Sequence, residues 1–79
     1  MNREVEFLQY IIENLVKNKE DINIERKEDE MWILLTLKVN EDDMKYVIGK
    51  QWNVVNSIRN LLKILGLKIE KRINLKVEG

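Results

Sequence analysis

The residue types best suited to chemistry occur in one short segment, Gly49-Lys50-Gln51-Trp52, which separates two apolar helical patterns. A tight turn between two helices exposes backbone N–H groups at the start of the second helix, and these unpaired donors carry partial positive charge. Gly49 has no side chain, so a nucleic-acid backbone can come close, and Lys50 adds a positive charge at the tip. The segment is therefore suited to binding phosphate groups.

Charged residues are distributed unevenly along the chain. The 14 basic and 14 acidic side chains cancel, which taken alone argues against a nucleic-acid binder. Residues 1–43, however, hold 6 Lys or Arg and 12 Asp or Glu, whereas residues 44–79 hold 8 Lys or Arg and 2 Glu. This split indicates a polarised surface, the alternative being solvated charges on both halves. Four residues are candidates for a basic track near the loop: Lys45, Lys50, Arg59 and Lys63.

The composition excludes several kinds of function. The chain has no cysteine and no histidine, so thiol chemistry, the commonest general base and the commonest zinc ligand are absent. Catalysis would rest on carboxylates or lysines, and no pair stands out, so we predict neither an enzyme nor a cofactor. The acidic clusters at 28–30 and 41–43 lack the ligand spacing of a calcium loop, so no metal site is predicted.

No part of the sequence predicts membrane association. No apolar run approaches the ~20 residues needed to span a bilayer. The first residues carry acidic side chains into the next apolar stretch, unlike a signal peptide. We therefore expect a soluble cytoplasmic protein.

Apolar periodicity predicts a helix and two strands in the first half. The helix, which ends at residues 17–19, has apolar residues at steps of three and four: Val5, Leu8, Ile12 and Leu15. A short strand is predicted over about 21–26, with a polar turn at 27–30. The run 31–39 is a second strand with two alternating faces. One face holds Ile33, Leu35, Leu37 and Val39, and the other holds Trp32, Leu34, Thr36 and Lys38.

The second half predicts two helices and a strand. Asn40 is a helix N-cap, and the buried side of a short helix comes from Met44, Val47 and Ile48. A longer helix covers 53–65, and Gly66 is its predicted stop. A last strand carries apolar residues of one parity: Ile69, Ile73, Leu75 and Val77. The whole is a single α+β domain over residues 1–79, with three helices on one face of a three-stranded sheet.

The segment from Val47 to Arg59 resembles the core signature of KH domains, in which an Ile-Gly-Lys-x-Gly loop precedes a helix containing Ile-Arg. Val5-Glu6-Phe7 and the segment 71–75 are similar to the small stand-alone bacterial KH proteins of the KhpA type. The resemblance covers nearly the whole chain. It implies the type II KH fold, with the order helix-strand-strand-helix-helix-strand.

The resemblance also implies a function. KH domains grip about four nucleotides of single-stranded RNA or DNA, and their GxxG loop clamps the backbone. By position, Gly49 matches the first glycine, Ile48 and Ile58 match hydrophobic groove-edge residues, and Arg59 matches the basic helix residue. The predicted RNA-binding set is Ile48, Gly49, Lys50, Gln51, Trp52, Asn53, Ile58, Arg59 and Lys63. The expected role is that of a bacterial RNA chaperone or post-transcriptional regulator, forming a homodimer or a heterodimer with another KH protein.

Both tryptophans leave alternatives open. Trp52 stands where the family has its second glycine. It is either a stacking platform for a base, a block to the nucleic-acid backbone, or part of a protein interface. The last two would make the chain a degenerate KH domain that serves as a protein-interaction or dimerisation module. Trp32, on the parity opposite Ile33, is either a dimer contact on the far face of the sheet or a strand-end residue that packs locally.

Overall fold

The computed structural model describes residues 3–78. Its helices and strands are α1 (Arg3–Glu13), β1 (Asn23–Glu28), β2 (Trp32–Lys38), α2 (Met44–Ile48), α3 (Asn53–Ile69) and β3 (Arg72–Glu78). Short 3-10 turns occur at Lys19–Asp21, Glu41–Asp43 and Lys50–Trp52. The predicted α+β class and the order helix-strand-strand-helix-helix-strand are confirmed.

Within residues 3–78 the strands form one three-stranded sheet in the order β1-β2-β3. β1 and β2 are antiparallel, with Asn23 opposite Lys38. β3 runs parallel to β2, with Trp32 beside Arg72. Parallel neighbours require a crossover connection, which α2 and α3 supply here. β3 lies at an edge of the sheet and packs beside α3.

The hydrophobic core lies between the helices and one face of the sheet. The side chains predicted to share one face of the second strand are buried: Ile33, Leu35 and Leu37 in β2, and Val39 just after it. They pack against buried helical residues: Leu8, Ile12, Val47, Val55, Ile58 and Leu62. The opposite side chains of β2 are exposed or half-buried, so the second face of the sheet is open, as the alternation predicted.

The end of α3 differs from the prediction. Gly66 is buried inside the helix, which continues through Ile69 and ends at Glu70 with a left-handed backbone (φ 57°). Ile69 is therefore helical and half-exposed, and the prediction that it belongs to the last strand is wrong. A Cβ on Gly66 would lie 2.4 Å from the carbonyl oxygen of Lys71. The glycine is needed for this close approach and not for stopping the helix.

Two boundaries in the first half also differ. α1 ends at Glu13, before the predicted end at 17–19, although Val16 in the following turn still reaches the core. β1 runs over 23–28 instead of 21–26. The turn comes later because the carboxylate of Asp29 accepts hydrogen bonds from the N–H groups of Met31 (3.0 Å) and Trp32 (2.8 Å). Such an Asx arrangement fixes a turn at the aspartate itself.

Asp43 connects the turn after α1 to the start of α2. Asn40 is an N-cap as predicted, but it caps the 3-10 turn Glu41–Asp43 that leads into α2, and its side chain accepts a hydrogen bond from the N–H of Asp42 (2.8 Å). Asp43 is buried, and its carboxylate accepts from the N–H groups of Lys17 (3.3 Å) and Asn18 (2.9 Å) and from the side-chain amide of Asn18. Burial raises the pKa of Asp43, but these donors outweigh it and the pKa lies below its ordinary value.

Candidate nucleic-acid interface

The loop between α2 and α3 has an unusual backbone. Gly49 ends α2 with φ +72°, and its N–H donates to the carbonyl of Lys45 (3.0 Å). Gln51 (φ 54°) and Trp52 (φ 64°) are both in the left-handed region, which L-residues with side chains seldom adopt. Trp52 stands where the family has its second glycine, and it adopts a backbone angle that glycine would adopt freely.

Position 49 requires glycine because of the atoms around it as well as because of its positive φ. A Cβ built on Gly49 would lie 2.3 Å from Cγ2 of Val54. Val54 packs against the core at the start of α3. The glycine therefore allows α2 and α3 to meet closely, which gives the loop its tight turn.

The N-terminus of α3 and the loop present their polar groups to solvent. Lys50, Gln51 and Asn53 are exposed, and Trp52 is 51% exposed. α3 has 17 residues, so its first N–H groups carry the partial positive charge of a long helix. An anionic backbone can reach these groups without any movement of the core.

An open groove lies between α3 and the edge strand β3. We call it the α3–β3 groove; it is an open cavity of about 560 Å³ lined by Asn56, Arg59, Asn60, Lys63, Ile73, Asn74 and Leu75. The helical members lie on one side of α3, because positions 56, 59/60 and 63 recur every three to four residues. From Asn53 to Lys63 the helix rises roughly 15 Å, so the groove follows α3 away from its N-terminal end.

Arg59 joins the two walls of the groove. Its Nε and Nη2 donate to the carbonyl oxygen of Leu75 on β3 (3.4 and 3.2 Å), and its Nη1 lies 3.5 Å from Oδ1 of Asn56. These bonds hold the guanidinium half-buried in the groove. A guanidinium has five N–H donors, so donors remain for a phosphate or a base.

The structure brings together some of the predicted site residues and separates others. Arg59 and Lys63 share the groove, and Lys50 lies exposed in the loop before α3. Ile58 is 3% exposed and belongs to the core, with Ile48 packed at its edge. Lys45 of the expected basic track lies 5.2 Å from the ring of Tyr46 on α2. Trp52 is not among the groove's lining residues.

Sequence reasoning missed the amide side chains of the groove. Asn56, Asn60 and Asn74 line it, and an amide offers both a donor and an acceptor. Asn56 and Asn60 are one helical turn apart, on the side where Arg59 and Lys63 were noted, so helical spacing was the available signal. Asn74 had no such signal because only the tertiary fold places β3 beside α3.

The groups that line the groove are suited to binding a ligand. Within the part of the chain that the structure describes, no three His, Cys, Asp or Glu side chains gather to hold a metal ion. Between residues 3 and 78 no helix has the length and apolar character to cross a membrane. The groove offers cations for phosphates, amides for base edges and apolar strand residues beneath them.

The fold and the loop together define a KH domain of the type II topology, with a Gly-Lys turn between its last two helices. The family described as KhpA/KhpB, KH domain, matches residues 5–77. The chain belongs to this family.

Curated relatives match over nearly the whole chain. The RNA-binding protein KhpA of Clostridium perfringens is 33% identical over 72 residues, covering 91% of this chain and 96% of the relative. That of Listeria monocytogenes serovar 1/2a is 35% identical over 72 residues, covering 91% and 95%. That of Borreliella burgdorferi is 27% identical over 74 residues, covering 94% and 90%.

Proposed function

We propose that this chain binds single-stranded RNA in the α3–β3 groove, with the loop 49–52 contacting the sugar-phosphate backbone. Its role is that of a bacterial RNA chaperone or post-transcriptional regulator in the cytoplasm, where transcripts are found. The names of the curated relatives support RNA as the ligand. The proposed site contains the predicted RNA-binding residues together with the amide side chains of the groove. Within it, Ile48 and Ile58 support the site from the core.

The observation that carries the proposal is a groove of matching chemistry along α3, the helix that directly follows the loop. Lys50 lies in the loop, and Arg59 and Lys63 lie on α3, the helix that follows it. Among residues 3–78, Lys50 and Lys63 make no ion pair, so both charges are available to phosphates. The groove is open rather than enclosed, which suits a strand that enters and leaves.

A salt-dependent titration tests this function. Binding of short fluorescein-labelled RNA is measured by anisotropy at about 50 mM and about 200 mM salt, where the slope of log affinity against log salt is about −0.7 per phosphate neutralised on a single strand. Lys63→Gln should weaken binding and reduce the slope by about 0.7. Lys68→Gln removes the same charge from the same helix outside the groove, and should change neither value.

The result that would overturn the proposal is an absence of detectable binding by the wild-type chain at the lower salt concentration. Equal losses in Lys63→Gln and Lys68→Gln would show only a general charge effect and would count against the groove. Single-stranded DNA of the same sequence presents the same phosphates, so including it measures how far the 2′-hydroxyl contributes.

A second candidate function is protein association, and a specific surface favours it. Three apolar residues on the outer side of α3 are exposed, and we call them the α3 stripe: Leu61, Ile64 and Leu67. Beside them Ile11 and Leu15 of the α1 region line a shallow apolar depression. Contiguous exposed apolar residues mark interfaces, so the stripe fits a homodimer or a heterodimer with another KH protein.

Sedimentation velocity tests the homodimer. The wild-type chain should sediment as a dimer, and Ile64→Lys should sediment as a monomer because a charge would be buried at the contact. Tyr10→Lys is the matched control, since it adds the same charge at an exposed residue of α1. A wild-type chain that stays monomeric at high concentration contradicts the homodimer.

A further inference from the structure

A second cavity lies at the far end of the α3–β3 groove. It has a volume of about 420 Å³ and is lined by Trp32, Lys63, Leu67, Lys71, Arg72, Ile73 and Asn74. Lys63, Ile73 and Asn74 line the groove as well, so the two cavities are continuous around the edge strand β3. A strand lying in the groove therefore has a path onto the open face of the sheet.

An aromatic residue with a basic partner lies at the end of this path. Trp32 is 41% exposed on the open face, and the guanidinium carbon of Arg72 lies 5.3 Å from the centre of its ring. The two residues are register partners on β2 and β3, which holds them side by side. RNA bases stack on aromatic rings and on guanidinium planes, so the pair holds two groups on which a base can stack.

The charges around the second cavity are complementary to a polyanion. Within residues 3–78, Lys63 and Arg72 make no ion pair. Lys71 is neutralised by its ion pair with Glu28, and Glu70 lies beyond the cavity at the end of α3. The two unpaired cations thus border the aromatic surface, and no acidic side chain from the described part of the chain lines this cavity. Glu30 beside Trp32 and Glu70 beside Arg72 line separate, neighbouring pockets.

We propose that the Trp32–Arg72 pair is an additional RNA subsite, which stacks a base of a strand that continues beyond the α3–β3 groove. This inference rests on the proposed RNA-binding function and extends its footprint. The groove accounts for about four nucleotides. The subsite therefore acts only on longer RNA, and it adds affinity without changing the contacts made at the loop.

Two RNAs of different length separate the subsite from the groove. One has the four nucleotides that a KH groove holds, and the other is twice as long; both have randomised sequence and a fluorescein label. A longer RNA offers the groove more registers, so proteins are compared at one length at a time. Trp32→Leu should weaken binding of the longer RNA about tenfold, within the range for loss of one stacked base, and leave the shorter RNA unchanged.

Control variants and a direct signal complete the test. Trp32→Phe should retain most of the affinity for the longer RNA, because a smaller ring still stacks. Tyr10→Leu removes an exposed aromatic residue from α1, away from both cavities, and should change neither affinity. The indole N–H signal of Trp32 in a ¹H–¹⁵N spectrum, assigned by its loss in Trp32→Leu, should shift with the longer RNA only.

Each contrary outcome has a distinct meaning. Equal affinity of the wild type and Trp32→Leu for the longer RNA, with the Trp32 signal unmoved, overturns the subsite alone. Equal loss for both lengths assigns Trp32 to the groove or the fold, and also overturns it. A wild-type chain that binds neither RNA overturns the proposed function together with the subsite. A Trp32 signal that moves with protein concentration in the absence of RNA identifies a second copy as the occupant, and overturns the RNA subsite.

Discussion

At the scale of single residues, the loop 49–52 combines exposure with a backbone that its side chains disfavour. Gln51 is exposed and has φ 54°. A non-glycine residue in the left-handed region destabilises the folded state by roughly 1–2 kcal/mol, which a glycine would relieve. The extra freedom of glycine in the unfolded chain cancels about 0.4–1 kcal/mol of that stabilisation. We expect Gln51→Gly to raise the free energy of unfolding, measured by urea denaturation, by about 0.5–1 kcal/mol.

The neighbouring residue provides the control. Lys50 has a negative φ, so glycine relieves no strain there. Lys50→Gly should lower the free energy of unfolding by about 0.5–1 kcal/mol, the opposite sign to Gln51→Gly. Destabilisation by both substitutions would mean that the left-handed backbone at Gln51 is not strained.

Trp52 carries the same backbone strain and a half-exposed ring. Strained residues that persist in a fold point to a function, and an exposed ring beside the start of α3 suits base stacking. We expect Trp52→Gly to lower RNA affinity about tenfold in the anisotropy titration, whereas Trp52→Phe retains most of it.

Two other results for Trp52→Gly would each assign a different role to this side chain. A sharp rise in affinity would identify the side chain as a block to the backbone of the RNA. An unchanged affinity combined with a change in sedimentation would assign Trp52 to a protein interface.

At the scale of elements, the close approach of α3 to the start of β3 depends on Gly66. Replacing glycine inside a helix by alanine normally stabilises the helix by about 1 kcal/mol. Here the added Cβ would lie 2.4 Å from the carbonyl oxygen of Lys71 and 3.3 Å from Cγ1 of Ile73. We expect Gly66→Ala to destabilise the protein by about 1–3 kcal/mol in urea denaturation, because the start of β3 must shift. Asn60→Ala, at an exposed position of the same helix, should be neutral or stabilising.

Strand β2 and helix α3 show what sequence patterns predict well and what they predict poorly. Alternation assigned the two faces of β2 correctly, because burying one face leaves only one register for the strand. The end of α3 was wrong because a glycine after an apolar stripe is the usual sign of a helix stop. The sequence contains no local signal for the approach of Lys71 to Gly66, since that contact exists only after β3 pairs with β2.

At the scale of the whole molecule, the candidate site is a product of tertiary structure. The sequence predicted the loop and the basic residues of α3, because these are neighbours along the chain. It did not predict Asn74 or the link from Lys63 to Trp32, because both depend on β3 lying at the edge of the sheet beside α3. Residues 1–43 supply the acidic excess, and residues 44–79 supply α3 and the edge strand β3, which line the groove.

Two acidic residues join distant parts of the molecule, and they make its stability depend on pH. The pKa of Glu28 on β1 is lowered by its ion pair with Lys71 and then by Arg26. The pKa of buried Asp43 is also lowered, since its hydrogen bonds to Lys17 and Asn18 outweigh burial. A carboxyl whose pKa is lowered in the folded state stabilises the protein above its ordinary pKa of about 4, and this contribution is lost as pH falls through the lower folded value.

We therefore expect the free energy of unfolding of the wild type to decrease as pH falls from about 7 to about 3. Asp43→Asn should be less stable than the wild type at neutral pH, because an amide accepts the N–H groups of Lys17 and Asn18 less strongly. It should lose less further stability in acid, because one titrating group is gone. Asp42→Asn removes the same charge from an exposed neighbour and is the matched control. An acid-induced loss as large in Asp43→Asn as in the wild type would show that this carboxylate does not connect α2 to the turn after α1.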